Sequence, residues 1–213
     1  MRIALALAIL LAAAPARAGN NEVTVGSFFR ALRSPSANAI TDASLIGSEV
    51  EYARRIIDLP RLALWATVDL TAGGADGSMF QTIDTHLVSV GLSLGGRARY
   101  ELHRNIALHA RFDAGAANAT LDLSDTMGHS ASDDRWGAVT RTAVGADLLA
   151  YASKSFTFGL RFELGYVLAS AIHLDAKPEG ATDDELELAM SRASLGGLDI
   201  GGRFFGVSML GQF

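Results

Sequence analysis

From Ser155 the chain reads SFTFGLRFELGYVLAS. The even positions Phe156, Phe158, Leu160, Phe162, Leu164, Tyr166 and Leu168 are large and apolar, and the odd positions between them include Thr157, Gly159, Arg161, Glu163 and Gly165. A period of two is the signature of a strand with one greasy and one polar or small face. A helix would scatter Arg161 and Glu163 onto the apolar stripe. The same alternation runs through LALWATVDL, HLVSVGLSLGGRARYEL, IALHARFDAGAA and the C-terminal FFGVSMLGQF. It is weaker in EVTVGSFFRAL, IGSEVEYARRI and WGAVTRTAVGADLLAYA. Together these predict eight strands, over 22–33, 44–57, 61–72, 84–102, 106–123, 136–152, 155–173 and 203–213.

The connections alternate in length. Asp58-Leu59-Pro60, His103-Arg104-Asn105 and Ala152-Ser153-Lys154 are tight, whereas SPSANAITD, GGADGSMFQTID, SDTMGHSASDDR and DAKPEGATDDELE are long and polar. Short turns at one end and long loops at the other predict an all-β fold, a transmembrane antiparallel up-and-down β-barrel of eight strands. An even count returns the chain to its starting side. Residues 188–202 are expected either to belong to the fourth long loop or to extend the last strand upward.

Residues 1–18, MRIALALAILLAAAPARA, combine an early Arg2, an apolar run and an Ala16-Arg17-Ala18 ending, the pattern of a secretory signal peptide. This predicts a barrel domain over 19–213. The leader holds two of the 18 basic residues and no acid, so the remaining chain carries a charge of −7 and has little attraction for nucleic acid. Cysteine is absent, which removes disulfides and thiol chemistry. Beyond the leader, charges interrupt every apolar run before the roughly 20 residues that a spanning helix needs.

The polar face is rich in glycine, alanine and serine, and its charges balance. Arg30, Arg55, Arg97, Arg99, Arg111, Arg141 and Arg161 fall on it with Glu49, Glu51, Asp69, Glu101, Asp113, Asp147 and Glu163. Eight strands enclose only enough space for side chains, and a buried charge needs a partner. This face is therefore expected to be a lumen plugged by a structural charge network. Arginine suits the role because its guanidinium can serve two carboxylates. Trp65 is expected to join the plug with its indole N–H on a neighbouring acid.

Catalytic candidates are sparse. His103 falls in a turn and His109 on the polar face beside Arg111 and Asp113, while His129-Ser130 near Asp133 and Asp134 is the one local set with nucleophile, base and acid types. His173 is expected to point inward near the outer rim. No metal-ligand spacing or phosphate loop appears, so no catalytic, cofactor or metal residue is assigned.

With its signal peptide and its final strand ending on Phe213, the chain resembles the small eight-stranded outer-membrane barrels of the OmpA/OmpX/OmpW kind. The resemblance implies a bacterial outer-membrane location, lipid and lipopolysaccharide as surroundings, and a monomer. It also implies that the outward Phe205, Val207, Met209 and Phe213 are read by the barrel-assembly machinery. A structural or surface-interaction role is expected, with a small-solute channel and a lipid A-modifying enzyme as alternatives.

Overall fold

The computed structural model describes residues 19–79, 83–125, 130–152, 156–178 and 193–213. The expected signal peptide at 1–18 lies outside them. The elements are β1 (Asn21–Leu32), α1 (Pro35–Ile40), β2 (Ser44–Leu59), β3 (Leu62–Met79), β4 (Ile83–His103), β5 (Ile106–Asp125), β6 (Ser130–Ala152), β7 (Thr157–Ala169), β8 (Ile172–Pro178), β9 (Ala193–Leu198) and β10 (Gly202–Gln212).

Each of β1 to β6 pairs antiparallel with the next, and β10 lies between β7 and β1, so eight strands close into a ring. From Ala31 the rungs run through Arg203, Tyr166, Thr142, Phe112, Gly96, Ala66 and Arg54. They return to β1 at Asn21, ten residues lower. That stagger goes with strands tilted by roughly 40° to the barrel axis.

The lower end is built from tight connections. Pro60 fixes one backbone angle of the first, and Arg61 takes a positive φ of 69° to complete it. In the second, Asn105 Nδ2 donates to the Leu149 carbonyl at 2.9 Å. At the same end Asn21 and Phe213 exchange N–H to C=O hydrogen bonds of 2.9 and 2.8 Å.

The upper end departs from the sequence expectation in four places. Strands β3 to β6 continue well past the apolar belt, so most of GGADGSMFQTID and the 130–135 part of SDTMGHSASDDR is paired strand rather than loop. Glycine, aspartate and serine read locally as turn formers, but the neighbouring ladder supplies their backbone partners. The first long connection contains α1, with Ser34 Oγ accepting from Ala37 N–H at its N-cap and Pro35 in its first turn. The expected seventh strand stops at Ala169. Ser170 then exchanges hydrogen bonds with Ala138, and the inside–outside parity flips, leaving Ile172 buried and His173 exposed rather than inward. Finally, the described part of 188–202 forms β9, which pairs with β8 and leads down into β10. Because β9 never crosses the barrel, the even count of crossings is kept.

Phase separates inside from outside throughout. On β10, Phe204, Gly206, Ser208 and Leu210 are buried while Phe205, Val207 and Met209 are exposed. Leu94, Phe112, Val144, Leu164 and Met209 are all more than half exposed, forming an apolar belt around the outside.

Candidate functional site

The interior has two layers, set by which residues the inward phase carries at each height. In the lower layer every strand of the ring except β10 contributes a charge. Arg161 on β7 contacts Glu22 at 2.8 Å, Glu51 at 3.1 Å and Asp147 at 2.7 Å. Arg97 on β4 reaches Glu22 at 2.5 Å and Glu51 at 2.6 Å, and Arg99 joins Asp147 at 3.2 Å. Arg111 on β5 meets Glu51 at 2.6 Å, Asp69 at 3.3 Å and Asp113 at 2.5 Å. Arg141 on β6 spans to Glu49 at 3.0 Å and Asp69 at 2.6 Å. His109 faces Asp147 with Nδ1 at 3.3 Å and Glu163 with Nε2 at 3.0 Å. All of these side chains are buried. Hydroxyls fill the gaps, Thr67 donating to Asp113 at 2.8 Å and Ser208 to Glu49 at 3.1 Å.

Three members of the expected network stand apart from it. The Glu101 side chain is exposed beside the irregularity where β4 shifts register between Glu101 and His103. Arg55 precedes a similar shift, pairs with Asp58 at 3.0 Å and stacks on Trp65 at 5.0 Å. Arg30 is buried but turns upward, donating to the Ile200 carbonyl at 3.3 Å and lying over Phe28. Trp65 differs in its partner. Its Nε1 is buried without a hydrogen bond among the described residues, and its ring lies between the guanidinia of Arg55 and Arg97. The indole is thus held by cation–π contacts rather than by an acid.

Glu22, a hub that contacts three arginines, is absent from the sequence-derived set. The parity that places Arg30 inside also carries Phe28, Gly26, Thr24 and Glu22, so the signal was present in EVTVGSFFRAL.

The upper layer is apolar. Phe28, Leu32, Leu45, Ala75, Leu87, Ala117, Ala119 and Leu121 point inward, and Ile172, Leu198 and Ile200 close over them. Helix α1 seats Ala37 and Ile40 in this cluster. The Ile40 carbonyl accepts from Thr85 Oγ1, and Thr41 Oγ1 donates to the Ala37 carbonyl at 2.8 Å. A side chain at Gly77 would lie 2.5 Å from the Ile40 carbonyl, so only glycine lets β3 pass this close to α1. Between the layers a cavity of about 30 Å³ remains, lined in part by Arg30, Asp69, Asp113 and Arg141.

The remaining candidates do not converge. His129 lies outside the described residues. Asp133 accepts from Arg135 on the inward phase of β6, and Asp134 accepts from Asn118 on the outward phase. Among the described residues no three of His, Asp and Glu gather as metal ligands. At the upper rim, Asp76, Asp84, His86 and Asp122 are exposed on the outer face of β3 to β5, with His86 Nδ1 2.5 Å from Asp76.

A closed ring that satisfies its backbone internally, with apolar side chains outside and charges within, is the organisation of a membrane-spanning barrel. The chain is an eight-stranded antiparallel β-barrel with that organisation. No protein-family model and no curated protein matches it. Among solved structures it is similar to Ail, the attachment invasion locus protein of Yersinia pestis. That match has 12% identity and a TM-score of 0.46, covering 92% of this chain and 97% of that one. Ail in complex with the heparin analogue sucrose octasulfate matches at 11% and 0.45, covering 92% and 98%. The β domain of the Bordetella autotransporter BrkA matches at 10% and 0.45, covering 92% and 99%.

Proposed function

We propose that this barrel is a non-enzymatic structural or surface-interaction protein with a plugged lumen. The observation that carries the reading is the cross-barrel network. Arg161, on β7, reaches carboxylates on β1, β2 and β6, so its ion pairs run across the space a permeating solute would need. The apolar layer beneath α1 obstructs the upper route independently. Opening a path would strand several buried charges, each uncompensated one costing several kcal/mol.

The same occupancy argues against catalysis in the lumen, since the buried carboxylates are engaged with arginines and His109, and among the described residues no lumen serine stands beside a free base. The partners this reading implies are lipids and lipopolysaccharide around the belt, and the assembly machinery acting on Phe205, Val207, Met209 and Phe213. The barrel would act as a monomer.

Planar-bilayer recording of the purified barrel tests the reading, with little or no steady conductance expected. Stable conductance steps from the unsubstituted chain would replace it with the channel alternative. Mass spectrometry of lipid A from cells with and without the gene is expected to give identical spectra, and a gene-dependent change in acyl or phosphate groups would establish the enzyme alternative.

A further inference from the structure

The outward face of β1, β10 and β7 carries an arrangement that the lumen does not explain. One rung holds Phe29, Phe205 and Leu164, all exposed. The next outward rung toward the upper end holds Ala31, Arg203 and Tyr166, with Arg203 exposed. Just above β1, the exposed Arg33 donates from Nη1 to the Tyr166 hydroxyl at 3.2 Å, so its side chain crosses toward the column occupied by Arg203. Neither guanidinium forms an ion pair with a carboxylate among the described residues. The acid acting on Arg33 is Asp199, whose Oδ1 accepts from Gly201 N–H at 2.7 Å.

On the outward face of β3 to β6 toward the upper end, the exposed carboxylates are Asp76, Asp84, Asp122 and Asp134. Two arginines directly above a strip of exposed apolar side chains therefore form a local cationic step at the edge of the belt.

We infer that Arg33 and Arg203 dock the phosphorylated headgroup of an outer-leaflet glycolipid, whose acyl chains lie along Phe29, Phe205 and Leu164. The inference rests on the membrane-barrel reading. A guanidinium fork matches a phosphate in two parallel hydrogen bonds, and the contact with Tyr166 orients one of the forks in advance. The apolar rung immediately below favours a lipid over a free anion, because both parts of the molecule find a complementary surface at once. The acidic rim would repel a phosphate elsewhere around the barrel.

The test uses the chain folded in detergent micelles and titrated with diphosphoryl lipid A or its dephosphorylated form, with binding read by native mass spectrometry. The phosphorylated form is expected to bind at least about tenfold more tightly, and Arg203→Gln to cost about tenfold. The Arg33→Gln/Arg203→Gln pair should abolish the preference, while Arg135→Gln leaves it unchanged. A preference that survives the double substitution, or is absent in the unsubstituted chain, overturns the site. Displacement of the lipid by inorganic phosphate at equal concentration overturns its lipid specificity. Each sample is also run heated and unheated on a gel. Absent binding by the unsubstituted chain with an intact heat-dependent shift overturns the site alone, lost binding by the double variant with an intact shift supports it, and no shift in the unsubstituted chain overturns the membrane-barrel reading as well.

Discussion

The two halves of the barrel interior reach the same burial by opposite chemistry. Below, Arg161, Arg97, Arg111 and Arg141 are matched to carboxylates from neighbouring and facing strands. Above, Phe28, Leu45, Leu87 and Leu121 pack beneath a short helix. The lower half depends on every partner being present, because an unpaired buried charge is far costlier than the net gain from a pair. The upper half depends on volume and tolerates small losses. The lower layer is therefore expected to set whether the barrel assembles as a unique structure, and the upper layer to set how tightly its outer end is shut.

Breaking one hub of the lower layer should have the largest effect. Arg161→Met leaves Glu22, Glu51 and Asp147 short of a cation and should cost about 3–5 kcal/mol, measured by urea unfolding of the micelle-embedded barrel. Met209→Arg comes next, at about 2–4 kcal/mol if it sits near the bilayer midplane. Ser208→Ala, which turns to the lumen and loses one hydrogen bond to Glu49, should cost about 1 kcal/mol. Equal assembly of Met209→Arg and Ser208→Ala, read as heat-modifiable gel mobility, would mean that inside and outside had been exchanged. In the upper layer Leu87→Ala should cost about 2–3 kcal/mol, and a loss equal to that of Arg161→Met would erase the distinction between the layers. Ser34→Ala, which removes the cap of α1, should, like Ser208→Ala, cost about 1 kcal/mol. Its measurement is faster hydrogen exchange at α1 amides with the exchange of β1 and β10 unaltered.

The sequence reveals these halves unequally. The alternation of Phe156 through Leu168 specifies β7 because lipid on one side and a charged interior on the other impose a strict period of two. The same logic reaches the lower network, and it reaches Glu22 once the parity of Arg30 is followed back along β1. It stops where the ladder is irregular, at the register shifts beside Arg55 and Glu101.

The upper layer is hidden for a different reason. On the inward phase Leu87 stands between Thr85 and Ser89, and the partners that it and Leu121 share, Ile172, Leu198 and Ile200, are far away in the chain. Only tertiary closure makes them one cluster. Helix α1 did leave a local trace, a serine followed by proline at its start, but six residues between two strands carry too little periodicity to outweigh the turn-forming composition around them.

The pairing of β1 with β10 has a consequence in time. Their eleven rungs join Glu22 to Gln212 and Leu32 to Gly202, contacts that span nearly the whole chain. As synthesis proceeds, one edge of β1 has no partner until the last strand has been made. Every earlier intermediate is an open sheet whose free edge can recruit any passing strand. Contacts this distant in sequence close slowly, and a bilayer does not accept the open form. Folding of this molecule is therefore expected to end with a single late event, the meeting of its first and last strands, and the sheet stays open at its edges until that event occurs.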